Sequence, residues 1–303
     1  MPVLRIEYAV EYCFVFVFGL FIGSFLNVII YRMPIGKSPF WPTWSFCPDC
    51  RGTLHWRDNV PVASYLLLGR KCRYCGRPIS ARYMLVELLT AIVFLLVFSV
   101  VYCEWRWEWH YFLAYAMFSA GLIVSVFTDL EHFIILDEIS VWGTGAAVVL
   151  SLAMPRLHEP FLEKLLPRFH AALVGLGGGL ARNLDSLAAS LAGLCVGAGV
   201  TLAVAWGGKL LFRRDAMGYG DVKLMALVGA FLGCERAVMT FFAAPFLGLP
   251  VGLVVLLRKK GHEIPYGPYL AVSAFISMLW YKEALLALWR FRDFVLGPLL
   301  LGP

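Results

Sequence analysis

Eight stretches of the chain are apolar over roughly the length that crosses a bilayer, which takes about 20 residues in a helix: 10–31, 84–103, 110–128, 134–154, 184–207, 222–235, 237–257 and 266–288. They are separated by polar or Gly/Pro-rich breaks, of which 32–83 is the only sizeable extramembrane piece. This pattern predicts an all-α polytopic membrane protein, a bundle of about eight transmembrane helices with a small domain between the first and second spans. The sixth stretch is short and its ends are poorly marked. Residues 155–185 mix charges with apolar runs such as Ala172–Leu180, and both an interfacial helix and an irregular loop fit them. The first stretch ends in Tyr31-Arg32-Met33-Pro34 with no small-residue cleavage site, so it reads as a retained first span.

Composition agrees: 60% of residues are hydrophobic, 15% are charged and the mean hydropathy is +0.76, outside the range of soluble domains. The net charge of +6 is read as loop charge, which argues against a nucleic-acid partner and for the lipid bilayer. On alternate sides of the eight stretches, 16 of the 26 Lys and Arg residues fall with segment 32–83 and 10 fall opposite. By the positive-inside rule the 32–83 side is cytoplasmic and both termini lie outside. The expected division is 1–31 as first span, 32–83 as cytoplasmic four-cysteine domain and 84–303 as the remaining membrane domain.

Segment 32–83 is small enough to need a metal or cross-links. It carries Cys47-Pro-Asp-Cys50 and Cys72-Arg-Tyr-Cys75, with 21 residues between Cys50 and Cys72. Two thiolates at i and i+3 with a glycine just after can face one ion, and two such turns close a tetrahedral four-thiolate shell around structural zinc. A closed shell leaves no position for substrate, so this zinc organises its loop without doing chemistry. A redox-active cysteine pair needs a strand-to-helix setting that neither turn has. The other cysteines, Cys13, Cys103, Cys195 and Cys234, lie in or beside apolar stretches and read as packing.

Acids at a membrane edge are costly and default to function. Asp129 closes the third stretch and Asp221 opens the sixth, in Met217-Gly-Tyr-Gly-Asp-Val-Lys223, and charge counting puts both at the cytoplasmic edge. Two carboxyls brought together share a proton, so one can take a proton from water while the other donates to a peptide carbonyl. Asp221 also suits a plain helix start; its pairing with Asp129 at one depth makes catalysis the better reading. Gly218 and Gly220 are supporting residues, letting backbone approach a bound peptide and take conformations closed to other residues. Asp137 is a supporting carboxylate, ranked ahead of Glu131, Glu138 and Asp215.

With these residues in view, the chain resembles the prepilin peptidases, the bifunctional leader peptidase and N-methyltransferase enzymes of type IV pilus and type II secretion systems. The resemblance is carried by Phe21 to Pro34, by the two cysteine turns with Trp56 to Pro61 between them, and by Ile79 to Tyr83 followed by Val86-Glu87. It continues in Asp129 to Asp137, Gly218 to Asp221 and Ile264 to Tyr269. It implies cleavage, on the cytoplasmic side, of a short basic leader from prepilins or pseudopilins by two aspartates facing each other. The new N-terminus is then methylated from S-adenosylmethionine. Leu136 stands where the family commonly has Pro, and Asp215 where it commonly has Glu. Asn27, Asp58, Asn59 and Glu87 are polar residues in matched stretches that could serve methyl transfer, though capping or packing accounts for each equally well, and the methyl-transfer residues stay unassigned.

Three other readings compete. A transporter would use Asp129 and Asp221 as coupling carboxylates, but would place them near the midplane and often show inverted repeats. A thiol oxidoreductase would put the cysteine pairs on the oxidising side. A scaffold leaves the paired acids unexplained.

Overall fold

The computed structural model describes residues 6–158, 160–213, 217–257 and 265–300. Among them there is no strand, only isolated bridges at Phe46–Thr53 and Lys71–Pro78. The helices are α1 (Ala9–Arg32), α2 (Ala63–Leu67), α3 (Ala81–Val97), α4 (Trp109–His132), α5 (Asp137–Ala153) and α6 (Leu162–Leu165). They are followed by α7 (Pro167–Leu176), α8 (Gly178–Phe212), α9 (Tyr219–Leu232), α10 (Cys234–Leu257) and α11 (Gly267–Leu300). Each predicted apolar stretch falls on a helix. Among the described residues, six helices are long and apolar enough to cross a membrane: α1, α3 with its π-helical extension to Glu104, α4, α8, α10 and α11. The predicted stretches 134–154 and 222–235 form α5, of 17 residues, and α9, of 14. At 1.5 Å per residue these reach about 25 and 21 Å, short of a hydrocarbon core of about 30 Å. Segment 155–185 resolves into a 3-10 turn at Pro155–Leu157, then α6, α7 and the first turns of α8.

The chain divides into two compact units, Met1–Ile139 and Ser140–Pro303. In the first, α1 crosses α3 with almost no side chain between them. A Cβ on Gly19 would lie 2.6 Å from Ala91 Cα, and one on Gly23 would lie 2.7 Å from Glu87 Cα. The Gly-x-x-x-Gly spacing puts both glycines on one face, where van der Waals contact between backbones replaces the hydrophobic drive that lipid cannot supply. At the other end of these helices Tyr12, Phe98, Tyr102, Trp109 and Phe112 pack edge to face, stacked or tilted. Tyr12 Oη donates to buried Cys103 Sγ at 3.6 Å.

In the second unit α8 crosses α9 in the same way. A Cβ on Gly193 would sit 2.1 Å from Gly229 O, and one on Gly229 would sit 2.0 Å from Gly193 O. Gly233, at φ +84°, ends α9 and frees its last carbonyls. In an apolar medium these need partners. Gly229 O accepts from Gly233 N, while Ala230 O accepts from Ser190 Oγ at 2.8 Å and from His158 Nε2 at 3.1 Å. Elsewhere, hydroxyls inside helices bond their own preceding turn, as Ser125 to Gly121 O in α4, Thr144 to Ser140 O in α5 and Thr201 to Gly197 O in α8.

Candidate functional site

The two cysteine turns are copies of one backbone motif. Cys47 N donates to Gly52 O and Arg51 N to Cys47 O; Cys72 N donates to Arg77 O and Gly76 N to Cys72 O. Residue i+4 is left-handed in both, Arg51 at φ 55° and Gly76 at φ 69°. The glycine that follows each cysteine pair fills this position only in the second turn; in the first the position belongs to Arg51, and Gly52 follows it. The four Sγ atoms of Cys47, Cys50, Cys72 and Cys75 lie within 4.8 Å of one another, and Cys47 and Cys75 Sγ are 4.0 Å apart. A zinc–sulfur bond of about 2.3 Å gives a tetrahedral edge of about 3.8 Å, so the cluster could hold a metal with small adjustments. The backbone N–H groups of Cys75 and Tyr74 point at Cys72 Sγ and hold its thiol down at about 7, whereas burial pushes Cys47 up, and Cys75 rises to about 11 because the Arg77 N–H is outweighed by burial and the neighbouring thiols. Asp49 pairs with Arg77 at 2.9 Å across the two turns, and buried Asp58 pairs with Arg73 at 2.7 Å.

This small domain is tied to the membrane helices by Glu87. Its Oε2 accepts from Val62 N at 2.8 Å. Val62 is held at φ 61°, ψ −50° in a γ-turn closed by Ala63 N to Pro61 O, a conformation that a β-branched residue adopts only under constraint. Of the polar residues singled out in the sequence, Asn27, Asp58 and Glu87 are buried and Asn59 is exposed.

Asp129 occupies the last turn of α4, 7% exposed, with its carbonyl accepting from Phe133 N at the left-handed helix end. Two residues on, Glu131 pairs with Arg82 at the start of α3. Asp137 is the exposed first residue of α5. In the second unit Asp221 lies in the first turn of α9, 8% exposed, its N–H donating to Gly218 O at 3.1 Å. Its carboxylate folds back over Gly218, where a Cβ would be 3.6 Å from Oδ2. Gly218 has φ −74°, ψ 149°, and Gly220 is helical. Neither glycine therefore needs a conformation closed to other residues, and only the room they leave remains as their contribution. Asp215 lies outside the described residues.

Sequence reasoning missed three residues. The half-buried Tyr266, just ahead of α11, has its phenol pushed up to about 12 by burial and then by the Asp221 carboxylate. Buried His158 bonds Ser186 Oγ at 2.9 Å and Ala230 O, and its pKa falls to about 4 chiefly through burial. Asp185 accepts the N–H groups of Phe161 and Leu162, which open α6. Tyr266 sits in a stretch the sequence did single out, whereas a lone His and a lone Asp between apolar runs give no signal.

Residues 17–101 match the bacterial peptidase A24 N-terminal domain, and residues 116–253 match the type IV leader peptidase family. The chain is 32% identical to the prepilin leader peptidase/N-methyltransferase of Aeromonas hydrophila over 292 residues, 88% of this chain and 89% of that one. It is 35% identical to the protein of that name from Myxococcus xanthus over 245 residues, 80% of this chain and 63% of that one. With the Pseudomonas aeruginosa protein of that name identity is 29% over 302 residues, 91% and 92% of the two chains. No solved structure matches. The transporter reading finds no support in these relatives. Matched along most of its length, the chain belongs to the type IV leader peptidase family, as a membrane aspartic peptidase that also carries methyltransferase activity.

Proposed function

We propose that the chain removes the basic leader of prepilins or pseudopilins at the cytoplasmic face of the inner membrane, with Asp129 and Asp221 as the catalytic pair. The observation that carries this is the burial of both carboxyls at the ends of apolar helices, inside the segment that matches the peptidase family. One carboxylate takes a proton from the attacking water and the other donates to the peptide carbonyl, later to the leaving amine. Gly218 and Gly220 leave space beside Asp221 for substrate backbone, and Asp137 supports from the start of α5. Residues 84–303 carry this chemistry and 32–83 form the cytoplasmic domain. Cys47, Cys50, Cys72 and Cys75 hold a structural zinc, which stabilises their turns and takes no part in hydrolysis. Methylation of the new N-terminus uses S-adenosylmethionine.

The test is cleavage of a model prepilin in membranes, with the product N-terminus read by mass spectrometry. Asp129→Asn and Asp221→Asn should each insert normally and cleave nothing. Full cleavage by either variant would refute the pair, and a product mass raised by one methyl only when S-adenosylmethionine is added would support the second activity.

A further inference from the structure

Within the first unit, α1, α3 and the cysteine domain line a partly open cavity of about 150 Å³. Two buried acceptors on its lining lack a protein partner, Asn27 Oδ1 and Asp58 Oδ2. Neither orientation is free. Asn27 Nδ2 donates to Tyr83 O at 2.9 Å, which fixes the amide, and Asp58 Oδ1 is taken by Arg73 Nε at 2.8 Å. Leaving a buried acceptor unmade costs about 1–3 kcal/mol, more when it is charged, so a pair of them in one cavity points to a missing donor. The guanidinium groups on the same wall are turned to protein acceptors: Arg32 to Pro42 O at 2.7 Å and Trp44 O at 3.1 Å, and Arg73 to Asp58. What the cavity offers a ligand is thus acceptor lone pairs and aromatic faces, among them Tyr31, Phe46 and Tyr65.

A second cleft of about 390 Å³ adjoins it, sharing Tyr31, Cys47, Pro48, Cys72, Ile79 and Tyr83 as lining. A cavity of about 150 Å³ takes a single ring, and the two together reach the size that holds a nucleoside ligand. The cleft ends at Glu131 and His132, two and three residues beyond Asp129.

From this geometry we infer that the cavity between α1, α3 and the cysteine domain binds the methyl donor, a cationic sulfonium nucleoside, with Asn27 Oδ1 and Asp58 Oδ2 accepting its N–H or O–H groups. The inference rests on the methyltransferase reading above and adds the place where it happens. The adjoining cleft gives the newly cut amine a path from the neighbourhood of Asp129 to the donor. In the transfer the amine lone pair forms the N–C bond as the methyl C–S bond breaks. The electron pair stays on sulfur as a neutral thioether, and the secondary ammonium releases its proton to water.

The test is equilibrium dialysis of radiolabelled S-adenosylmethionine against the full chain in nanodiscs, with metal content and leader cleavage measured on the same preparations. Asn27→Leu and Asp58→Asn should each raise the donor Kd by about tenfold or more while metal and cleavage persist. Unchanged donor affinity in both variants overturns the placement. Absence of donor binding by wild type sinks the methyltransferase reading instead. Should the variants lose metal and cleavage together, photolabelling of wild type with an azidoadenosyl analogue decides. Label on peptides spanning 27–31 or 58–65 supports the site, and label confined to residues beyond 140 overturns it.

Discussion

Replacing Gly229 by Ala tests how the helix bearing Asp221 is held. The added Cβ would sit 2.0 Å from Gly193 O and 2.5 Å from Gly193 C, both backbone atoms that cannot rotate away. Contacts under 3.0 Å essentially do not occur, so α8 and α9 must part by about 1 Å. Overpacking of this kind costs about 1–3 kcal/mol, set against roughly 1 kcal/mol gained from the better helix propensity of alanine. The net loss of stability should be modest, about 1–2 kcal/mol at most. Activity should suffer more. Asp221 lies eight residues, about 12 Å, up the same helix, and a 1 Å misplacement of a reacting group costs about a hundredfold in rate. Gly199→Ala is the matched control on α8, because nothing lies within 4 Å of the Cβ it would add. Leader-cleavage rates and thermal unfolding in detergent should show Gly229→Ala slowed by one to two orders of magnitude and Gly199→Ala unaffected or slightly stabilised. Wild-type rate and melting temperature in Gly229→Ala, or equal damage in Gly199→Ala, would refute the close-crossing argument.

Cys47→Ser, or a strong chelator, should strip bound zinc and leave residues 32–83 open to protease, as elemental analysis and limited proteolysis would show; a full metal complement in the variant would remove the four-thiolate site. Stability should fall in acid through His158, whose folded pKa of about 4 lies below its ordinary 6.5. Between those values the unfolded chain binds more protons, so its contribution is complete above pH 6.5 and lost as pH falls toward 4, up to about 3 kcal/mol. Melting temperature against pH should show this slope in wild type and lose it in His158→Gln. Arg51→Gly, at φ 55°, should stabilise the first cysteine turn by about 1 kcal/mol, whereas Gly76→Ala at φ 69° should destabilise the second, both read as shifts in the denaturant midpoint of the metal-loaded domain.

The apolar stretches and their helices were legible in the sequence because a backbone in lipid must satisfy its own hydrogen bonds, which leaves helix as the only local answer for each run. The four cysteines were legible because ligand spacing is itself local: a turn of four residues brings two thiols together wherever it sits. Asp129 and Asp221 stood out as acids at the ends of apolar runs, and their burial at helix ends agrees with that placement. The residues that hold these elements were not legible. Gly193, Gly197 and Gly229 look like any glycines in a chain that holds 28, and only the crossing of α8 on α9 sets them apart. His158 bonds Ala230, 72 residues away, and Glu87 bonds Val62 across the boundary between span and loop.

The sequence by itself determined the solvent of this protein, the order of its apolar helices, the two like cysteine turns and the place of Asp129 and Asp221 at the ends of apolar runs, since each depends on neighbours within a few residues. Only the tertiary structure decided that the Ala230 carbonyl at the end of α9 is taken by Ser190 and His158, and that Asn27 and Asp58 face one cavity. These depend on which backbones approach closely enough to exclude side chains and on which buried polar atoms are left without partners. Both are properties of contacts far apart in the chain, and no local pattern encodes them.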